Sequence, residues 1–236
     1  MPIAIVPARG GSKRIHRKNI KPFLGKPILA RVLDELHASK IFSHVVVSTD
    51  DKEIAELSKI SGADLIIERP ANLADDHTGI KEVVAHAINH RALESLDVNE
   101  VVCIFPTSIF VTSDILASSL NEFRKTSEFS MVSVLEFPHP IQRALVREKD
   151  GYLTLKHPEY ITSRTQDLEK NYYDAAQFYW AKKERWLSAD SILHKSKPFI
   201  LAGWEAVDID TDADWMFAEK LFSLSEKQTS YFSNNQ

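Results

Sequence analysis

Apolar runs of strand length recur along the first half of the chain, at Ile3–Val6, Val45–Ser48, Asp64–Ile67, Val101–Phe105 and Met131–Leu135. Between them the apolar spacing shifts to the helical period. Pro27–Leu36 places Ile28, Leu29, Val32, Leu33 and Leu36 on one face, with Pro27 suited to a first turn. Asp51–Ile60 turns Ile54 and Leu57 inward. After Thr78, residues Ile80, Val83, Val84, Ala87 and Ile88 recur at i, i+3, i+4, i+7 and i+8. Ser113 is suited to cap a helix carrying Ile115, Leu116, Leu120 and Phe123. Strand–helix alternation of this kind predicts an α/β fold with a mainly parallel sheet covered on both faces. Ligands of such sheets bind at the carboxyl ends of the strands, near a switch in strand order.

The pattern changes between about Phe137 and Trp180, where His, Pro, Tyr and charged residues cluster. Two short strands are expected there, around Arg143–Arg147 and Tyr152–Leu155, joined by a turn at Glu148-Lys149-Asp150-Gly151. The segment reads as an arm of about 137–180 inserted into a single domain of 236 residues. Its aromatic residues suit a sugar or a subunit partner. A β-run at Phe199–Ala202 then leads to Glu205-Ala206-Val207-Asp208-Ile209-Asp210-Thr211-Asp212, and a last helix starts near Asp212.

Charge changes the picture. The chain has 29 Lys and Arg against 33 Asp and Glu, a formal net charge of −4. Seven of the bases (Arg9, Lys13, Arg14, Arg17, Lys18, Lys21 and Lys26) fall in one stretch that holds no acid. The rest of the chain is then near −11, 22 bases against 33 acids. A local reversal of this kind points to an anionic ligand, whereas a nucleic-acid surface would need a wider basic face. The single cysteine, Cys103, excludes an internal disulfide framework and reads as a small buried hydrophobe. No apolar stretch reaches the roughly 18 residues of a membrane span, and the chain opens almost at once on a strand. The expectation is a cytoplasmic protein with no membrane partner.

The basic stretch follows the first strand, where a ligand is expected. Gly10 and Gly11 let backbone amides approach closely and give access to positive φ. Arg9, Lys13, Arg14 and Lys18 surround them, enough to hold two or three phosphates. Neither the Walker pattern nor the dinucleotide fingerprint is present. Far along the chain, Asp208 and Asp210 alternate on an extended segment, so both carboxylates face one side. Two carboxylates plus phosphate oxygens suit Mg²⁺. Asp212 and Asp214 read as caps of the last helix, and Asp51 as the cap of the helix it precedes. Thr78 or Asp76 is the expected cap of the next.

"IVPARGGSKRIHRKNIKPFLGKPIL" resembles the N-terminal signature of the acylneuraminate cytidylyltransferases, the CMP-sugar synthetases. The resemblance continues through "VVVSTDDKEIAE", "GADLIIERPANLADDHT" and "VDIDTDADW", in the family's order and over nearly the whole chain. "SRTQDLEKNYYDAAQFYW" looks most like the pseudaminic acid branch. The resemblance implies a Rossmann-like three-layer α/β/α nucleotidyltransferase fold whose arm helps form a homodimer. It implies transfer of CMP from CTP to the anomeric hydroxyl of a 2-keto acid sugar, with Mg²⁺ and release of pyrophosphate.

The same resemblance distributes roles. Ala8, Arg9, Gly10, Gly11, Lys13, Asn19, Arg69 and Asp76 go to the nucleotide, with Leu73 beside them; Arg9 and Lys18 act in the reaction; Asp208 and Asp210 take the metal. Arg143 and Arg164 are candidates for the sugar carboxylate. Gln177, Phe178 and Tyr179 are candidates for the sugar's acyl and side-chain pockets, with core packing as the competing role. The base that takes the hydroxyl proton stays open between the Asp208–Asp210 site and His16. One departure narrows the substrate. Sialic acid enzymes read "LQPTSPLR" where this chain reads "IFPTSIFV", so Phe105 stands in place of a sugar-facing Gln. A less polar pocket suits a dideoxy sugar such as pseudaminic acid. Sialic acid, legionaminic acid and Kdo remain alternatives, as does a non-catalytic nucleotide-sugar binding protein on the same fold.

Overall fold

A computed structural model describes residues 1–75, 77–125 and 130–233, with side chains through residue 225. In chain order the strands and helices are β1 (Ile3–Pro7), β2 (Pro22–Phe23), β3 (Lys26–Pro27), α1 (Ile28–Ser39), β4 (His44–Thr49), α2 (Lys52–Ile60), β5 (Leu65–Glu68) and α3 (Ile80–Ile88). They continue with β6 (Glu100–Ile104), α4 (Ser113–Lys125), β7 (Ser130–Glu136), β8 (Leu145–Arg147) and β9 (Leu153–Leu155). The chain closes with β10 (Tyr172–Lys182), α5 (Lys183–Leu187), β11 (Lys197–Ile200) and α6 (Asp212–Ser233).

Seven strands form one sheet in the order β11-β7-β10-β6-β1-β4-β5. β1 lies between β4 and β6 and is parallel to both, and β4–β5 and β7–β11 are also parallel. β10 alone runs antiparallel, to β6 on one side and β7 on the other. The chain leaves β1 towards β4 on one side and later returns to β6 on the other. That reversal opens a crevice beyond the carboxyl end of β1.

Alternation along β1 divides the core in two. Ala4 and Val6 pack with Leu29, Val32 and Leu33 of α1, Leu116 and Leu120 of α4 and Trp215 of α6. Ile3 and Ile5 pack on the other face with Val84, Ala87 and Ile88 of α3 and Trp186 of α5. The result is the expected three-layer arrangement. Cys103 is fully buried, and burial holds its thiol far above the ordinary value.

Several local expectations change. Thr112, not Ser113, takes the capping role at α4, where its hydroxyl accepts the amide of Ile115 at 3.3 Å. Gly79 precedes α3 without a side-chain cap, while the Thr78 hydroxyl donates to Asp75. Asp51 does cap α2, accepting from the amides of Glu53 and Ile54. Residues 172–180 were expected in the arm; they form most of β10 instead, so the arm ends near residue 171. Its strands are the β8–β9 hairpin, shorter than expected. Among the described residues no helix is long and apolar enough to cross a membrane.

Candidate functional site

The crevice beyond β1 is a cleft of about 310 Å³. Arg9, Lys13, Arg14, Lys18 and Arg69 stand in its wall, with Asn19, Leu73, Asp75, Phe105, Thr107 and Asp210. Five cations against two acids make it strongly positive in a chain that is negative overall.

The loop after β1 is held by its neighbours. The amide of Ala8 donates to the carbonyl of Ser48 at 2.9 Å. The Gly10 amide donates to Asp50 Oδ1 at 3.0 Å. A Cβ on Gly10 would stand 2.6 Å from Asp51 Oδ2, so glycine is required there by close approach. Neither Gly10 nor Gly11 uses the left-handed region, and a Cβ on Gly11 would meet nothing. The left-handed residue of the loop is Arg17, at φ 53°. Its conformation, unfavourable for a side-chain-bearing residue, is offset by ion pairs to Asp51 at 2.6 Å and Glu53 at 2.6 Å. The turn that follows, Lys18–Ile20, directs Lys18 and the buried Asn19 to the cleft. Asn19 Nδ2 donates to the carbonyl of Arg9 at 2.9 Å and so braces the loop from within.

Of the two predicted metal aspartates, Asp210 stands in the cleft wall and Asp208 lies outside that wall. Asp208 and Asp210 flank the fully buried Ile209, which anchors the extended segment. Asp210 faces the basic loop. Its carboxylate meets Arg14 Nη1 at 2.8 Å and Lys18 Nζ at 3.4 Å, and Lys18 Nζ also donates to the carbonyl of Ile209 at 2.7 Å. The segment enters α6 through a reciprocal cap. Asp214 accepts from the amide of Thr211 at 2.7 Å, and the amide of Asp214 donates to Thr211 Oγ1. Asp212 pairs with Lys21 at 3.3 Å. Burial, then repulsion from Asp210, pushes the Asp208 carboxyl above its ordinary range. Two neighbouring carboxylates, with oxygen donors only, suit a hard divalent cation. Among the described residues no third acid or His joins them.

Arg69 is buried beneath the cleft, where its Nη2 donates to the carbonyl of Ser48 at 2.7 Å. Burial lowers its proton affinity. Arg9 Nη1 donates to the backbone carbonyl of Asp75 at 2.8 Å. The Asp75 carboxylate, its proton affinity lowered chiefly by its hydrogen bonds with Thr78, also accepts the amide of His77. In the sequence, Asp75 carries no site role beyond opening the "DDHT" turn. Asp76, assigned to the nucleotide, lies outside the described residues.

The sugar assignments divide. Phe105 is in the cleft wall and meets the Tyr179 ring edge-on at 5.6 Å between centroids. Tyr179 donates to Asp174 Oδ2 at 2.6 Å. Gln177 and Phe178 are buried in the body of the sheet, Phe178 against Phe199. Phe178 offers no surface to a ligand here. Arg143 and Arg164 are exposed on the arm, outside the cleft wall, with Arg143 hydrogen-bonded to the carbonyl of Ser163. His16 is exposed and also outside that wall.

Fold and cleft together define a protein that holds a polyanion at the carboxyl edge of a mostly parallel sheet. A family model described as cytidylyltransferase matches residues 3–236. The chain belongs to the cytidylyltransferase family. It is 36% identical over 226 residues to the pseudaminic acid cytidylyltransferase of Campylobacter jejuni subsp. jejuni serotype O:2, covering 95% of this chain and 97% of that protein. It is 30% identical to the CMP-N,N'-diacetyllegionaminic acid synthase of Legionella pneumophila, covering 95% and 97%. Among solved structures, a CMP:2-keto-3-deoxy-manno-octonic acid synthetase complexed with CTP superposes with a TM-score of 0.69 at 14% identity, over 95% of this chain and 100% of that one. That likeness carries the fold alone: a Rossmann-like α/β sheet.

Proposed function

We propose that the protein transfers CMP from CTP to the anomeric hydroxyl of pseudaminic acid and releases pyrophosphate. The observation that carries this is the meeting of the basic loop with Asp210 across one cleft. Arg14 and Lys18 pair with Asp210. A bound triphosphate would offer those two cations phosphate oxygens in place of the carboxylate and so leave Asp210 available to a metal. Asp208 and Asp210 would hold the Mg²⁺, which when bound neutralises phosphate charge.

The reaction forms a bond from the sugar oxygen to the α-phosphorus and breaks the α–β phosphate bridge, with the hydroxyl proton leaving to a base. Charge gathers on phosphate oxygens, so positioning and preorganised positive charge are the main catalytic means. Arg9, Lys13 and Lys18 supply that charge, with Arg9 already oriented by the Asp75 carbonyl. Gly10 lets the loop backbone lie close to the α2 cap. Phe105 gives the sugar side of the cleft an apolar wall, in keeping with a substrate that has fewer hydroxyls than sialic acid. The names of the similar proteins support pseudaminic acid before legionaminic acid. The protein works as a homodimer through the arm, where Leu145, Tyr152, Leu153 and Ile161 are each exposed.

The test is pyrophosphate release from CTP and Mg²⁺ with pseudaminic, legionaminic and sialic acids and Kdo offered separately. Turnover is expected with pseudaminic acid at the highest kcat/KM. CTP binding without turnover on any sugar would favour the non-catalytic binding protein.

A further inference from the structure

Gln177 is about as buried as the residues around it, 1% exposed, in a strand whose neighbours are apolar. Its environment has no room for a ligand, yet it carries an unusual set of bonds. The register of β10 on β7 shifts between Asp174 and Tyr179, and Ala176 takes a left-handed φ of 49°. A bulge of this kind leaves carbonyls without ladder partners. Gln177 Nε2 lies 2.8 Å from the Ala175 carbonyl, 3.3 Å from that of Ala176 and 3.4 Å from that of Val207. Val207 directly precedes Asp208. The Gln177 backbone carbonyl in turn accepts the Phe105 amide at 3.1 Å and the Ser108 hydroxyl at 2.8 Å. The Ser133 hydroxyl accepts the amides of Gln177 and Phe178, which pins the residue to β7.

One residue therefore touches the roots of two walls. Its main chain holds the Phe105–Ser108 turn, and its side chain holds the segment that presents Asp208 and Asp210. The orientation of the amide is set by its acceptors, because a flipped amide would place Oε1 against carbonyls. Oε1 is left buried without a partner among the described residues. Filling space alone would not retain such an amide in an apolar strand.

We infer that Gln177 is a positioning residue that sets the aspartate pair relative to the apolar wall, rather than a sugar contact. This rests on the proposed cytidylyl transfer and deepens it. Gln177→Met keeps the volume and removes both donors. Mn²⁺ serves as the metal probe, with free ion followed by its electron spin resonance in the presence of CTP. The variant is expected to melt as one cooperative unit and to bind CTP without divalent ion as the wild type does. Its Mn²⁺ affinity should fall on the order of tenfold, as for lost outer contacts of metal ligands. The KM for the sugar should rise while the KM for CTP holds. Gln177→Glu is the second variant. A buried carboxyl there has its proton affinity raised and offers one donor only when protonated, so its kcat relative to wild type should climb as pH is lowered. Wild-type Mn²⁺ affinity and wild-type sugar KM in a folded Gln177→Met protein overturn the inference, as does a Gln177→Glu ratio that ignores pH. Failure of the wild type to turn over any nonulosonic acid overturns the functional reading instead.

Discussion

The cleft and the arm are built in opposite ways. Around the cleft, groups far apart in sequence are bonded to one another: Lys18 to Asp210, Gly10 to Asp50, Arg9 to the Asp75 carbonyl. On the arm, Arg143 bonds to the arm's own backbone at Ser163, and large apolar side chains are exposed. The difference teaches where one chain completes a site. The cleft, with its basic loop and Asp210, is assembled from residues of this chain. The arm leaves large apolar side chains exposed.

The sharpest break of the comparison is Asp210→Ala. Because it removes the acid that pairs with Arg14 and Lys18, kcat is expected to fall by about 10³ or more, the scale of a lost charge-stabilising group, with the melting transition retained. Near-full activity would detach Asp210 from the chemistry. Arg9→Ala comes next: loss of a charge-assisted contact to phosphate should weaken CTP by roughly 10- to 100-fold in equilibrium titration, with the sugar KM little changed.

Asp51→Ala tests the support beneath the loop. It removes the α2 cap and the Arg17 partner, for an expected loss of about 1–2 kcal/mol in chemical denaturation. The Arg17 hydrogen bond, aided by the backbone amides, holds the Asp51 carboxyl below its ordinary range. A depressed carboxylate stabilises the fold above its unfolded value and loses that stabilisation as pH falls through the lowered folded value. The wild-type advantage over Asp51→Ala should thus be level near neutrality and shrink in acid. An advantage that grows on acidification would contradict the pairing. Smallest of all, Arg164→Ala on the arm should leave CTP affinity and stability within error of wild type, within about 0.5 kcal/mol.

Legibility in the sequence followed the same divide. The parallel strands and their helices could be read from apolar period alone, because each segment buries one face. Arg9, Lys18 and Asp210 were legible because parallel-sheet topology sends loops to one edge. β10 was not. Its bulge and its run of Tyr, Gln and Phe break the period-two alternation, so the central antiparallel strand read as part of the arm. For the same reason Gln177 and Phe178 looked like pocket residues, when the bulge turns them into the sheet. The roles of Asp75 and of Arg17 at positive φ depend on tertiary partners, Arg9 for one and Asp51 for the other, that local spacing does not encode.

The central claim is that the basic loop and the aspartate pair act on one triphosphate. A double-mutant cycle on CTP affinity in saturating Mg²⁺, using Lys13→Ala, Asp210→Asn and the pair, measures that directly. The account predicts a coupling above about 1 kcal/mol in Mg²⁺ that vanishes when Mg²⁺ is removed. Strict additivity in Mg²⁺ would contradict it.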